Sequence, residues 1–301
     1  MLPEDIGYGG AVILANVEEI NEMKAFLPVL QHHKRYLEYA LSPGWPIHKM
    51  RVESKEGHRF FPVGRRRAGN RSLIDRGKRE YVAFDCQKKN LVLLKDAWRA
   101  DSVSIHSELE IYAVLHKSGV KYIPTVVSGG DVYPRQGTIT HSFLGLVGFV
   151  RYRIVMKQIC RPLHDHWDPR ESTAAVYYAA YAHELAWNAG ILHRNINDSS
   201  IVIDDDPEDI PPGQPKMIKG LLIEWDSAKL KHELKKSSRT GTWQFMSALA
   251  QRYPKKHYEV ADDIESFIHV LILIGLRFQR HSMTDTPKVL KLYMESVYDG
   301  Y

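Results

Sequence analysis

Cysteine is nearly absent: Cys86 and Cys160 are the only two in 301 residues. They fall in unrelated segments without metal-ligand spacing, which argues against a disulfide framework and points to an intracellular compartment, cytoplasmic or nuclear. Long hydrophobic runs are missing too. The longest, Val270 to Leu276, is too short to cross a bilayer. Because it is apolar all round, it is expected to form a helix buried on every side. The N-terminus lacks a basic region followed by an apolar run and a small-residue cleavage site, so no secretory signal is expected. No repeat of solenoid period and no low-complexity tract is visible. Excess charge of one sign is small, with a net charge of +5 and a pI near 9.0.

What is present is apolar material for a sizeable core, 44% of the residues, in a length that suits one bilobal domain or two small ones. The visible basic cluster is Arg65-Arg66-Arg67 with Arg59 and Arg71 nearby; it reads as a solvated face or loop, with nucleic-acid binding or nuclear import as the sharper alternative. IGYGGAV near the start has no preceding strand and lacks the third glycine of a dinucleotide fingerprint, so a simple turn is expected. Val17, Ile20, Met23, Leu27 and Leu30 recur at the spacing of an accessory helix. His32 and His33 read as a polar helix end rather than a metal site, since adjacent residues on a helix point in different directions. Pro62 to Asn70 reads as a linker or exposed loop.

LIDRGKREYVAFD and NLVLLKDAWR, joined by the polar turn Asp85 to Asn90, have the pattern of a hairpin. Set against G-x-G-x-x-G-x-V, the first aligns as Asp75-x-Gly77-x-x-Glu80-x-Val82, and Val92-Leu93-Leu94-Lys95 stands where V-A-I-K would. Two of the three glycines have become acids, which places negative charge where a triphosphate would approach. By the same pattern, Leu93 would fill some of the space beside an adenine ring. Ser104 to Lys117 reads as a helix stopped by Gly119. Glu108 on it is the natural ion-pair partner of Lys95, with a solvent-facing glutamate as the plain alternative. Tyr122 to Gly130 and Thr138 to Met156 are strand-rich; RYRIVMKQI leads into a hinge, with Met156 near the gatekeeper position. Lys95, Glu108, Gly77 and Met156 are thus the candidate nucleotide contacts.

Beyond the hinge, His164, Asp165, His166 and Asp168 alternate in a loop, an arrangement that rarely closes a metal site. Ser172 to Asn188 fits a long buried helix ended by Gly190. Directly after it comes ILHRNINDSS, Ile191 to Ser200, which follows the outline of a His-Arg-Asp loop with an Asn five residues past the Asp. Asp204 to Lys216, acidic and proline-rich, reads as an exposed hairpin insertion. GLLIEWDSAKL, Gly220 to Leu230, has Glu224-Trp225-Asp226 where a metal-binding Asp-Phe-Gly turn would stand.

These two stretches, followed in order by RTGTWQFMS at Arg239 to Ser247 and ADDIESFIHVLI at Ala261 to Ile272, resemble the fungal-type protein kinase family over roughly Leu73 to Arg280. The resemblance implies an α+β, bilobal protein-kinase-like fold: a helical extension at 1–59, a small antiparallel-sheet lobe at 60–157, and a mainly helical, shortened lobe at 158–301. It also implies that Asp263 accepts backbone hydrogen bonds from the catalytic loop, and that His193 and Trp225, with Tyr112 above them, belong to a hydrophobic spine.

The same resemblance assigns His193, Arg194 and Asn195 to the catalytic loop, and Ser200 and Glu224 to the metal positions. Phosphoryl transfer rests on positioning and on metal ions that neutralise phosphate charge. Asn195 has no basic group to take a proton, a contribution typically worth ~10²–10⁴-fold. Ser200 has a shorter arm than Asn, and Glu224 is one methylene longer than Asp. The expected function is that of a catalytically impaired pseudokinase acting as a binding or scaffold module, with no cofactor, a protein partner, and neither nucleic acid nor membrane. The alternative is an atypical active ATP-dependent Ser/Thr protein kinase that uses ATP and Mg²⁺. Oligomeric state is left open by the sequence.

Overall fold

Period-2 alternation builds a sheet from much of the first half of the chain. The structure, a computed structural model, describes residues 10–69, 77–102, 105–133, 137, 148–205, 218–236 and 240–296. It divides into one compact unit of Met1–Leu109 and Pro124–Ile159 and a second of Glu110–Ile123 and Cys160–Tyr301.

The first unit carries β1 (Val12–Leu14), β2 (His48–Ser54), β3 (Gly57–Val63), β4 (Ala68–Gly69), β5 (Arg79–Asp85), β6 (Asn90–Ala100), β7 (Val126–Asp131) and β8 (Phe149–Met156). They form one antiparallel sheet in the order β1-β2-β3-β5-β6-β8-β7, with β4 beside β5. The expected hairpin is β5–β6: Asp85 pairs with Asn90. Its turn is closed by the Asp85 carboxylate, whose Oδ1 accepts from the N–H groups of Gln87 and Lys88 at 3.0 and 3.1 Å. Asp96 on β6 is buried between Arg151 and Arg153, both within 3.0 Å. Burial pushes its pKa up, but the two guanidiniums hold it below the usual carboxylate range.

Two helices precede β2: α1 (Val17–Ala25) and α2 (Gln31–Ala40). The single helix expected across Val17 to Leu30 is broken, because the residue before Pro28 is barred from helical geometry; Val17 and Leu27 are exposed while Met23 is fully buried. Residues 1–59 also hold β1, β2 and the start of β3, so the stretch read as a helical extension supplies strands to the sheet. The supposed linker starts inside β3, with Val63 buried, and includes β4. Nor is the basic cluster a free face: Arg65 lies over the rings of Tyr39 and Trp45, Arg67 over Tyr36, and Arg59 binds Asp85. Arg71 and the IGYG glycines Gly7 and Gly9 lie outside the described residues.

The second unit is mainly helical. α3 (Glu108–Lys117) has its first two residues in the first unit. It begins later than expected, and Gly119, at φ 69°, ends it as predicted, with its N–H on the His116 carbonyl. β9 (Arg161–Pro162), α4 (Pro169–Asn188), β10 (Ile191–Leu192), β11 (Ile201–Asp204), β12 (Lys219–Leu222), β13 (Lys229–Leu230), α5 (Ala248–Arg252), α6 (Val260–Phe278) and α7 (Pro287–Met294) follow. Small antiparallel sheets are made by β12-β11-β9 and β10-β13. α4 starts ahead of Ser172 because the Asp168 carboxylate caps it and Pro169 suits its first position. β12 lies so close to α4 that a Cβ on Gly220 would sit 2.1 Å from the Ala175 carbonyl oxygen.

Asp205, placed by the sequence in a solvated loop, is instead buried on Arg161, which also binds Glu171. Asp204 ends β11, and residues 206–216 of that acidic, proline-rich stretch lie outside the described residues, as does Thr138 to Val147. α6 corrects another expectation. Although apolar on all sides, it buries only Phe267, Val270, Leu273 and Ile274 among its large aliphatic and aromatic residues, and Ile264, Ile268, Leu271 and Ile272 are exposed. Among the described residues no helix is long and apolar enough to cross a membrane.

Candidate functional site

In the first unit, the strand lysine finds its partner. Lys95 Nζ lies 2.7 Å from Glu108 Oε2, and both residues are buried, so the solvent-facing reading of Glu108 is not what forms. Glu80 stands directly opposite Lys95 on β5, close enough on one sheet face to interact. Burial raises the Glu80 pKa, but Lys78, Arg67 and Lys95 together pull it below the usual range. A carboxylate therefore occupies the cross-strand place beside Lys95 where the glycine pattern would leave space. Gly77 takes φ 56°, and a Cβ on it would press on Trp98 at 3.2 Å. Met156 is buried opposite Leu93. Asp75 lies outside the described residues.

The second unit assembles the loop. α4 ends at Gly190, φ 87°, and β10 delivers His193 into the interior, fully buried and edge-on to Trp225 with ring centroids 4.6 Å apart. His193 Nε2 donates to the Ile223 carbonyl at 2.9 Å, which leaves Nδ1 to accept from the Asn195 N–H. Burial lowers its pKa, with Asp263 opposing. Tyr112 is buried and stacks on His116.

Asp263 on α6 is the anchor. Its Oδ2 accepts from the Arg194 N–H at 3.0 Å, as the resemblance implied, and from His183 Nε2 at 2.8 Å; its Oδ1 accepts from the Tyr258 hydroxyl at 2.9 Å. Burial pushes its pKa up, but the His183 hydrogen bond, both histidines and the Arg194 amide hold it below the usual range. Arg194 sits at φ 71° and Glu224 at φ 67°, a left-handed conformation that non-glycine residues rarely adopt. Both are places where surrounding contacts enforce a strained backbone.

Asn195 and Ser200, which the resemblance assigns to the base and metal positions, are turned inward. Asn195 Oδ1 accepts from Thr242 N–H and hydroxyl, both at 3.0 Å, and from Asn197 Nδ2 at 3.3 Å. The Ser200 hydroxyl donates to the Asn197 carbonyl and accepts the Asn197 N–H, each at 2.9 Å, with no exposure to solvent. Asn197 Oδ1 in turn accepts from Ser199 and Ser200 N–H. Asn197, Thr242, His183 and Tyr258 were not picked out from the sequence. An Asn followed by Asp-Ser-Ser is a recognisable side-chain turn; the other three come from distant segments and carry no local signal. Glu224 and Asp226 flank the buried Trp225 and are both half-buried. Among the described residues no three His, Cys, Asp or Glu side chains gather as a metal ion would require.

An antiparallel sheet with a buried lysine–glutamate pair, and a separate helical unit whose His-Arg-x loop hangs from a helix carboxylate, define a protein-kinase-like protein. Residues 147–275 match the family model described as fungal protein kinase. No curated protein matches the sequence.

Proposed function

We propose that this kinase-like protein is catalytically impaired and works as a binding or scaffold module. The observation that carries the reading is the closed hydrogen bonding of its loop. Asn195 and Ser200 spend their oxygens on Thr242 and Asn197, so the residues present do not fit a pair of metal ions with a proton acceptor beside them. Glu80 beside Lys95 supports the same reading, since like charges repel a triphosphate. ATP and Mg²⁺ are accordingly not its cofactors. A protein partner is favoured over nucleic acid, because Arg59, Arg65 and Arg67 are already engaged by carboxylate and aromatic groups.

The test is transfer of radiolabelled γ-phosphate from Mg²⁺-ATP to generic Ser/Thr substrates. Wild type is expected to give no transfer above an enzyme-free control, and Asn195→Asp alone none either, because Ser200 stays locked. Robust transfer by wild type would sink the reading. The retained Lys95–Glu108 pair favours a second reading, an atypical active kinase; any activity found should then vanish in Lys95→Met.

A further inference from the structure

Helices α1 and α2 cover one face of the first unit's sheet, and it is the face that carries Lys95. Glu80, Val82 and Phe84 of β5 stand opposite Lys95, Leu93 and Leu91 of β6, so all six side chains share one side. Met156 and Ile154 of β8 extend that side. The strand lysine of a kinase fold is aimed at nucleotide phosphates, so on this unit a purine would have to lie along Val82 and Leu93.

That surface is already covered. Met23, Leu37 and Ala40 pack on Val82, Phe84, Leu91 and Ile159, with Leu93 at the margin. At one end of α2, the Ile159 carbonyl, three residues past Met156, accepts from Nε2 of His32 at 2.9 Å and of His33 at 2.8 Å. Adjacent on the helix, the two rings nevertheless converge on one oxygen with centroids 4.3 Å apart. At the other end, the Ala40 carbonyl takes the Arg65 N–H at 2.8 Å and lies so near Gly64 that a Cβ there would be 2.0 Å from it. Midway, Tyr36 holds the Arg67 guanidinium at 4.1 Å. Two lone pairs on the Ile159 carbonyl and an apolar slab beside it are what an aminopurine would use.

We infer that α2 is a built-in occupant of the purine subsite: its two imidazoles take the acceptor that an exocyclic amino group would need, and Leu37 takes the apolar surface under the base. This rests on the kinase-like reading of the sheet face. Purine binding then requires α2 to leave, and the apparent affinity falls by the small fraction of molecules in which it has left.

Adenosine is the probe, because it needs neither metal nor phosphate contacts and so tests α2 separately from catalysis. It is titrated by equilibrium dialysis into the 301-residue chain, His32→Ala/His33→Ala, and Leu37→Glu, with folding followed by circular dichroism and amide hydrogen exchange read over α2. Wild type is expected to show no saturable binding at millimolar adenosine, and the variants to bind at least roughly tenfold more tightly as α2 loses protection. Saturable binding by wild type with α2 still protected would overturn the inference. So would a folded variant whose α2 is unprotected yet which does not bind. Should neither variant fold, the wild-type arm decides by the same criterion. Phosphate transfer by wild type would remove the impaired-kinase reading alone, and would touch this one only if α2 stayed protected during turnover.

Discussion

Replacing Asp263 by Asn tests whether the catalytic-loop-like segment is held by charge. The carboxylate accepts from three buried donors, His183 Nε2, the Arg194 N–H and the Tyr258 hydroxyl, at 2.8 to 3.0 Å. Hydrogen bonds to a charged group contribute about 1.5–3 kcal/mol each, against about 0.5–1.5 for neutral ones. Neutralising the acceptor therefore costs about 1 kcal/mol per donor, and the Tyr258 hydroxyl recovers part by rotating to accept from the new amide, so the expected loss is about 2–3 kcal/mol. Asp263→Ala, which strands all three donors, should lose more, about 3–5 kcal/mol or beyond. The pH dependence has a definite sign. The folded-state pKa of Asp263 lies below its unfolded value, so its contribution is complete above the ordinary carboxylate range and is lost as pH falls through the folded value. Urea denaturation of wild type and Asp263→Asn should show a gap at pH 7 that narrows below about pH 4, and hydrogen exchange at the Arg194 amide should quicken in the variant. A loss under about 0.5 kcal/mol, or a gap equally wide in acid, would refute the argument.

Lys95→Met should cost about 3–5 kcal/mol by leaving Glu108 charged and buried, with Lys95→Met/Glu108→Leu recovering much of it; chemical denaturation of both measures the coupling. Arg161→Met strands Asp205 and Glu171 together and should lower stability by a similar amount, about 3–5 kcal/mol in urea melts. Gly220→Ala drives a methyl into the Ala175 carbonyl oxygen, and its expected signature is insolubility or a melting temperature well below wild type.

Much of this was readable in the sequence where the signal is local. Alternation in REYVAF and NLVLLKDAW, with a polar turn between them, is enough to expect the β5–β6 hairpin, and Gly119 and Gly190 mark helix ends because they can take positive φ. Lys95 and Glu108 were paired from the motif alone. The failures were also physical. HKMRVES and GHRFFPV alternate imperfectly, so β2 and β3 were read into a helical extension and a linker. α6 looked wholly buried because a hydropathy run does not say which side faces solvent, and Asp205 looked solvated because an acidic tract does not name the arginine that meets it.

Residue types alone determined what chemistry is on offer at the positions the resemblance singles out: an amide at Asn195, a hydroxyl at Ser200, an acid at Glu80. Which of these groups are already spent was decided by packing between distant segments. Thr242 reaches Asn195, Asp263 holds Arg194, and His32 and His33 meet Ile159 only after the chain has folded. A side chain's chemistry is a local property, whereas its remaining capacity to bind depends on neighbours that no short stretch of sequence contains.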